Sequence, residues 1–272
     1  MSVLEEHFTL SNGHQIPKLG FGTWQTPQNV APGAVRAALK AGYTHLDTAR
    51  AYRNEDGVGQ GLRDSGVPRE QVFVTTKVPA DAKSYEDAKA EIAQSLELLQ
   101  TGWIDLLLIH CPRPWAKFRD LSNRYFPENL AVWRAMEEAV KAGQVRSIGV
   151  SNFEIDDITN ITDHAEIAPV VNQIEYHIGC TPDELVAYCQ SHGILVEAYS
   201  PIATGELLSN PAVAQVAGRC GVSVAQVCIR YALQKGTLPL PKSTHPEFIE
   251  QNTQVDFTIS DADMTMLDAI AL

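Results

Sequence analysis

The fold class the sequence predicts is a parallel (β/α)8 (TIM) barrel with an N-terminal β-hairpin and extra helices. Short apolar runs alternate with longer amphipathic segments from near the start to near the end, the pattern of parallel β/α units. Eight such runs can be counted. No Ser/Gly linker, composition shift or short repeat divides the 272 residues, of which 44% are hydrophobic. Eight strands, each followed by a helix, favour a closed barrel over a doubly wound sheet, in one domain spanning 1–272.

The elements follow in order. HFTLSNGHQIP turns at Asn12-Gly13, a pair suited to tight hairpin turns, and is expected to plug the barrel bottom. The strands are KLGFGT (18–23), THLDTA (44–49), VFVTTKV (72–78), IDLLLIH (104–110), SIGVSN (147–152), VVNQIEY (170–176), LVEAYSP (195–201) and TLPLPKS (237–243). Among the helices, APGAVRAALKAG ends in Gly42, SYEDAKAEIAQSLELLQTG runs from Ser84 to Gly102, NLAVWRAMEEAVKAG ends in Gly143, and TPDELVAYCQSHG runs from Thr181 to Gly193. Small polar caps and terminal glycines stand where helix ends need them. Extra helices are expected from Asn210 to Gly221 and in SDADMTMLDAI, with an amphipathic helix in SVAQVCIRYALQKG. The glycines of GVGQGL (57–62) follow no strand and lack the dinucleotide-fingerprint spacing, so they read as small residues in a packed helix.

A net charge of −12 opposes nucleic-acid and anionic-membrane binding, because a long-range negative field repels polyanions. Five cysteines without metal-like spacing argue against a disulfide scaffold or structural zinc. MSVLEEHFTL has neither a basic nor an apolar leader region, and the expectation is a soluble cytoplasmic monomer.

In such a barrel chemistry gathers at the C-terminal ends of the strands. Those ends carry Asp47, with Tyr52 in the following loop, then Lys77, His110, Ser151 and Asn152, Gln173, Tyr199 and Ser200, and Lys242 and Ser243. A buried acid and ammonium on neighbouring strands are costly unless paired, so Asp47 and Lys77 are expected to pair. Lys77 near the Tyr52 phenol is expected to lower its pKa from about 10. Tyr52 would then donate a proton to a carbonyl oxygen as hydride reaches the carbon, with His110 orienting the carbonyl.

LGFGTW, HLDTARAYRNE, TTK, DLLLIHCP, IGVSNF, VNQIEYH, EAYSPI and LPKST, in this order over nearly the whole chain, resemble the aldo-keto reductase family, and the small prokaryotic 2,5-diketo-D-gluconate reductase-like members in particular. The resemblance implies a catalytic tetrad of Asp47, Tyr52, Lys77 and His110 and an NADPH cofactor bound without a Rossmann domain. It implies that Tyr199 stacks on the nicotinamide while Ser151, Asn152 and Gln173 hold its carboxamide. It further places Gly22, Thr23, Ser200, Pro201, Ile202 and Thr204 around the cofactor, Lys242, Ser243 and Thr244 on the phosphate of the adenosine ribose, and Gln251 and Asn252 at adenine.

Three departures qualify the pattern. Phe248 stands where relatives usually carry an arginine; it removes a cation that favours NADPH, can stack on adenine, and leaves NADH use open. Pro79 and Cys111 stand where the family often has pocket tryptophans, so the substrate pocket is expected to use Trp24, Cys111 and Trp115 and to be less aromatic. The sequence ends at Leu272, where many relatives continue into a loop over the mouth; an open site and broad choice among small carbonyl substrates, diketogluconate-like or dicarbonyl, are expected. Two rival functions use the same barrel. A metal-dependent hydrolase would employ His45 and Asp47 as an H-x-D pair with His110 and Lys77, but gives Tyr52 and LPKST no role. A catalytically silent nucleotide sensor would not need an intact tetrad.

Overall fold

The computed structural model describes residues 2–118 and 120–272. Strands β1 (His7–Thr9) and β2 (Gln15–Pro17) form an antiparallel hairpin with Phe8 opposite Ile16. The remaining strands are β3 (Phe21–Gly22), β4 (His45–Asp47), β5 (Phe73–Val78), β6 (Ile104–Ile109), β7 (Val145–Ser151), β8 (Val171–Glu175), β9 (Leu195–Tyr199) and β10 (Leu238–Pro239). They lie in chain order in one parallel eight-stranded sheet. The N–H of Gly20 donates to the Pro239 carbonyl at 3.1 Å and that of Gly22 to the Pro241 carbonyl at 3.0 Å, so the two edges meet and the sheet closes. Pro239 and Pro241 have no N–H to return, which keeps this last seam short.

The helices are α1 (Ala31–Lys40), α2 (Glu55–Ser65), α3 (Tyr85–Leu99), α4 (Phe126–Lys141), α5 (Ile155–Thr162), α6 (Asp183–Ser191), α7 (Pro211–Cys220), α8 (Val224–Gln234), α9 (Pro246–Gln251) and α10 (Asp261–Asp268). Among the described residues no single helix is long and apolar enough to cross a membrane. Several boundaries differ from expectation for local reasons. Helix α3 stops at Leu99 because Gln100 adopts the left-handed conformation, two residues before Gly102. Helix α4 starts three residues before Asn129, with Pro127 in the first turn, where a missing N–H costs nothing. Helix α6 begins at Asp183 rather than Thr181, and α9 was not anticipated.

Helix α2 shows what its glycines are for. A Cβ on Gly59 would lie 2.0 Å from the Leu99 carbonyl oxygen, and one on Gly57 2.6 Å from that of Gln28. The helix therefore packs backbone to backbone against α3 and the segment before α1.

The hairpin plugs the barrel as expected. Leu10 and Ile16 are buried in one cluster with Phe73, Leu106, Leu108, Val171, Leu238 and Leu240, which closes the N-terminal end. The polar layer above this plug is the functional one.

Candidate active site

At the C-terminal end of the barrel a cavity of about 720 Å³ opens between the strand ends and their loops. Its wall includes Asp47, Tyr52, His110, Ser151, Asn152, Gln173 and Tyr199. Strand β4 delivers Asp47 and β5 delivers Lys77. The Lys77 Nζ donates to Asp47 Oδ1 at 2.8 Å, to Asp47 Oδ2 at 2.9 Å and to the Thr48 carbonyl at 2.8 Å. Lys77 is fully buried, and this pairing is what makes its charge tolerable there. Burial pulls the ammonium pKa down, but its acidic neighbours, Asp47 first, outweigh it, and the net shift is upward.

Tyr52 lies at the end of a short 3-10 turn, Arg50–Tyr52, that Arg53 closes in the left-handed conformation. Asn54 ties this turn to the neighbouring loop. Its amide donates to the carbonyls of Thr23 and Thr26 at 2.9 and 3.0 Å, and its oxygen accepts from the Thr48 hydroxyl at 2.8 Å. The Lys77 Nζ sits 5.1 Å from the Tyr52 ring centroid. Here the expected direction of the phenol pKa is corrected. Burial raises it, the Lys77 charge opposes, and burial wins. A phenol held above its ordinary value keeps its proton at neutral pH, which suits a proton donor.

The His110 ring meets Tyr52 edge to face at 5.5 Å and Trp115 at 4.9 Å. Burial, then the Lys77 charge, holds the imidazole well below its usual range, so it is neutral. Its Nδ1 is buried without a hydrogen-bond partner among the described residues. A neutral imidazole between two aromatic rings has a hydrogen bond, not a charge, to offer an oxygen in the cavity.

On the opposite wall, Gln173 donates through Nε2 to Asp47 Oδ2 at 2.8 Å and to Glu197 Oε2 at 2.7 Å. Both of its donors are thereby used, and its Oε1 is left as the group able to accept from a ligand. Asn152, with φ at 59°, donates to the His110 carbonyl and the Ser151 hydroxyl, and accepts from the Tyr199 hydroxyl at 2.8 Å. That last bond fixes the Tyr199 ring on the cavity wall.

Gly22, Ser200, Pro201, Ile202, Thr204, Lys242, Trp24 and Trp115 also line the cavity. Thr23 is buried behind the wall and donates to the Asp47 carbonyl at 2.9 Å. Ser243, Thr244, Phe248, Gln251 and Asn252 lie beyond the cavity lining, before, on and at the C-terminal end of α9, with Phe248 half exposed and Asn252 buried. Cys111 is a correction. It is fully buried and contributes nothing to the wall, and its carbonyl accepts from Lys83 at 3.0 Å. Trp115 and Phe118, ring centroids 5.8 Å apart, stand at the mouth instead, so the pocket is more aromatic than expected.

Sequence reasoning also missed Gln25, Ala51, Phe118, Glu175 and Leu240 on the wall and Glu197 behind it. The acid inside the apolar run LVEAYSP was the available signal for Glu197. For the hydrolase alternative, His45 does not face Asp47: its Nε2 pairs with the Thr75 hydroxyl at 2.9 Å, while Lys77 and Gln173 occupy the Asp47 oxygens.

A closed parallel barrel with a buried ammonium–carboxylate pair, a protonated phenol and a neutral imidazole around one rim cavity is built for acid-assisted chemistry on a small polar group. It is an oxidoreductase barrel, and the chain belongs to the aldo/keto reductase family, whose pattern matches residues 18–272. It is 41% identical to the glyoxal reductase of Bacillus subtilis over 269 residues, covering 98% of this chain and 93% of that protein. It is 37% identical to the glycerol 2-dehydrogenase (NADP(+)) of Saccharomyces cerevisiae, covering 97% and 90%. Among solved structures, an aldo-keto reductase from a Medee basin deep-sea metagenome library superposes with a TM-score of 0.90 at 36% identity, covering 97% and 94%. A Bombyx mori aldo-keto reductase in complex with NADP superposes at 0.86 with 34% identity, covering 97% and 92%.

Proposed function

We propose that the protein reduces aldehyde or ketone groups of small compounds, dicarbonyl or diketogluconate-like, to alcohols at the expense of NADPH. The observation that carries this reading is the gathering of Asp47, Tyr52 and His110 on a cavity also walled by Tyr199, Gln173 and Asn152, with Lys77 buried behind it on Asp47. The glyoxal reductase relative supports a dicarbonyl substrate, and the NADP-bound neighbour supports the cofactor.

The residues present fit a nicotinamide. Tyr199 offers a ring held by Asn152, and Gln173 offers an oxygen acceptor for a carboxamide N–H. Lys242 is the cation on the wall suited to a phosphate, with Ser243 and Thr244 following it. A nicotinamide held by these residues would supply hydride for the carbonyl carbon. Tyr52 donates its phenolic proton to the oxygen as negative charge develops on it. His110 gives that oxygen a hydrogen bond, and Asp47 holds Lys77 where its charge steadies the forming phenolate. Trp24, Trp115 and Phe118 form an apolar rim that turns a small substrate's polar end inward.

We place this activity in a one-domain cytoplasmic monomer. The test is the loss of NADPH absorbance with glyoxal and, separately, with a diketogluconate, in wild type and Tyr52→Phe. Turnover in wild type that collapses in Tyr52→Phe is the expected result, and equal rates in both would remove Tyr52 as the donor.

A further inference from the structure

Strand β9 buries one more acid directly behind the site. Glu197 is fully buried, and its register partners are Gln173 on β8 and Leu238 on β10. Its Oε2 accepts from Gln173, whose other N–H goes to Asp47, so a single amide bridges two carboxyl groups. Its Oε1 has no hydrogen-bond partner among the described residues, and the nearest ring nitrogen, His45 Nε2, is 4.0 Å away.

The charged and titratable groups around Glu197 can be counted strand by strand. Strand β4 offers Asp47 and His45, β5 offers Lys77, and β8 offers the neutral Gln173; the residues of β10 have no ionisable side chain. Tyr52 joins through Lys77. Burial and Lys77 push His45 down to about 3, so it is neutral. One ammonium therefore faces two carboxyls, and both of the Asp47 oxygens already hold it. Ionising Glu197 as well would bury a second negative charge with no cation of its own, which the site disfavours.

We propose that Glu197 is a positioning residue of the reductase centre: a carboxylic acid that keeps its own proton, holds Gln173 with its oxygen toward the cavity, and leaves Lys77 one anion to serve. The inference rests on the reductase reading. While Glu197 is neutral, Lys77 remains free to stabilise a forming Tyr52 phenolate. Once Glu197 releases its proton to solvent, the added negative charge makes the phenol a weaker acid, and reduction slows. Burial first, then the Asp47 charge, pushes the Glu197 carboxyl up to about 8, which puts this change within an accessible range.

The test pairs two variants with two readouts. In wild type, kcat/KM for glyoxal at saturating NADPH should fall about tenfold between about pH 7 and about pH 9. In Glu197→Gln, which cannot ionise, the decline should move up to the pH where Tyr52 itself loses its proton. In Glu197→Met, which offers Gln173 no oxygen, the Kd for NADPH from fluorescence quenching should rise about tenfold, and Glu197→Gln should recover most of that loss. Coincident pH profiles, or unchanged NADPH binding in Glu197→Met, would overturn the proposal. The infrared band of a protonated carboxyl in wild type at neutral pH, absent at about pH 10 and missing from Glu197→Gln, gives a reading that needs no turnover. No such band at neutral pH also overturns it. A protein that shows this band in wild type and loses it in Glu197→Gln, yet reduces no carbonyl, would fail the reductase reading while leaving the proton on Glu197 established.

Discussion

Lys77 and Asp47 form an ion pair across neighbouring strands in which the ammonium reaches both carboxylate oxygens and both side chains are buried. Removing one partner leaves the other charge without compensation, which costs about 3–5 kcal/mol. Lys77→Met should therefore melt well below wild type, whereas Lys77→Met combined with Asp47→Asn should recover much of the stability and none of the turnover. Thermal melts and NADPH consumption measured together check this; a double variant as unstable as the single one would contradict the pairing argument.

Tyr52 has no similar burden in holding the fold. Tyr52→Phe keeps the ring edge against His110 and removes only the hydroxyl, so NADPH binding should stay within about twofold while kcat falls by about 10²–10⁴. Fluorescence titration and steady-state rates separate the two. A parallel loss of binding would point to a disturbed loop instead of a missing proton.

The order of elements was legible because apolar periodicity and glycine or proline punctuation are local, and so was the polar set Asp47, Tyr52, Lys77 and His110, since each stands at or just after the end of an apolar run. Packing across the barrel was not legible. No local signal says that burial outweighs Lys77 at Tyr52, that Cys111 turns away from the cavity, or that Trp115 comes back against His110 with Phe118 packed on it. The chain order also conceals that Gln173 on β8 meets Asp47 on β4, a contact made only when the sheet closes. Glycine in α2 was legible as a packing residue from its spacing, but the partner, the Leu99 carbonyl, was not.

That partner gives a control far from the chemistry. Gly59→Ala places a methyl 2.0 Å from a backbone oxygen that cannot swing away, so the helices must part. A cost of about 1–3 kcal/mol is expected, with KM and kcat unchanged in the folded fraction. Denaturant midpoints measure it. Neutral stability would mean that α2 and α3 shift apart freely.

Phe248 is half exposed on α9, edge-on to His245 at 5.6 Å. An arginine there would add a guanidinium that can hold a phosphate through two hydrogen bonds. Phe248→Arg should raise the preference for NADPH over NADH about tenfold, mainly through KM. The ratio of kcat/KM for the two cofactors decides it, and an unchanged ratio would mean that this position does not read the phosphate.

His45 predicts how the barrel responds to acid. It is fully buried, hydrogen-bonded to Thr75, and held at about 3 by burial and by Lys77. An unfolded histidine binds its proton below about 6.5, so between about 6.5 and about 3 the unfolded chain holds a proton that the native chain refuses. The contribution of His45 is thus present in full above about 6.5 and is lost as pH falls through that window. Wild type should melt above His45→Asn at neutral pH, and the gap should shrink steadily on acidification toward about pH 3. A gap that stays constant across this range would show that the ring is charged in the native barrel, and the count of one ammonium for two carboxyls would then have to be redrawn.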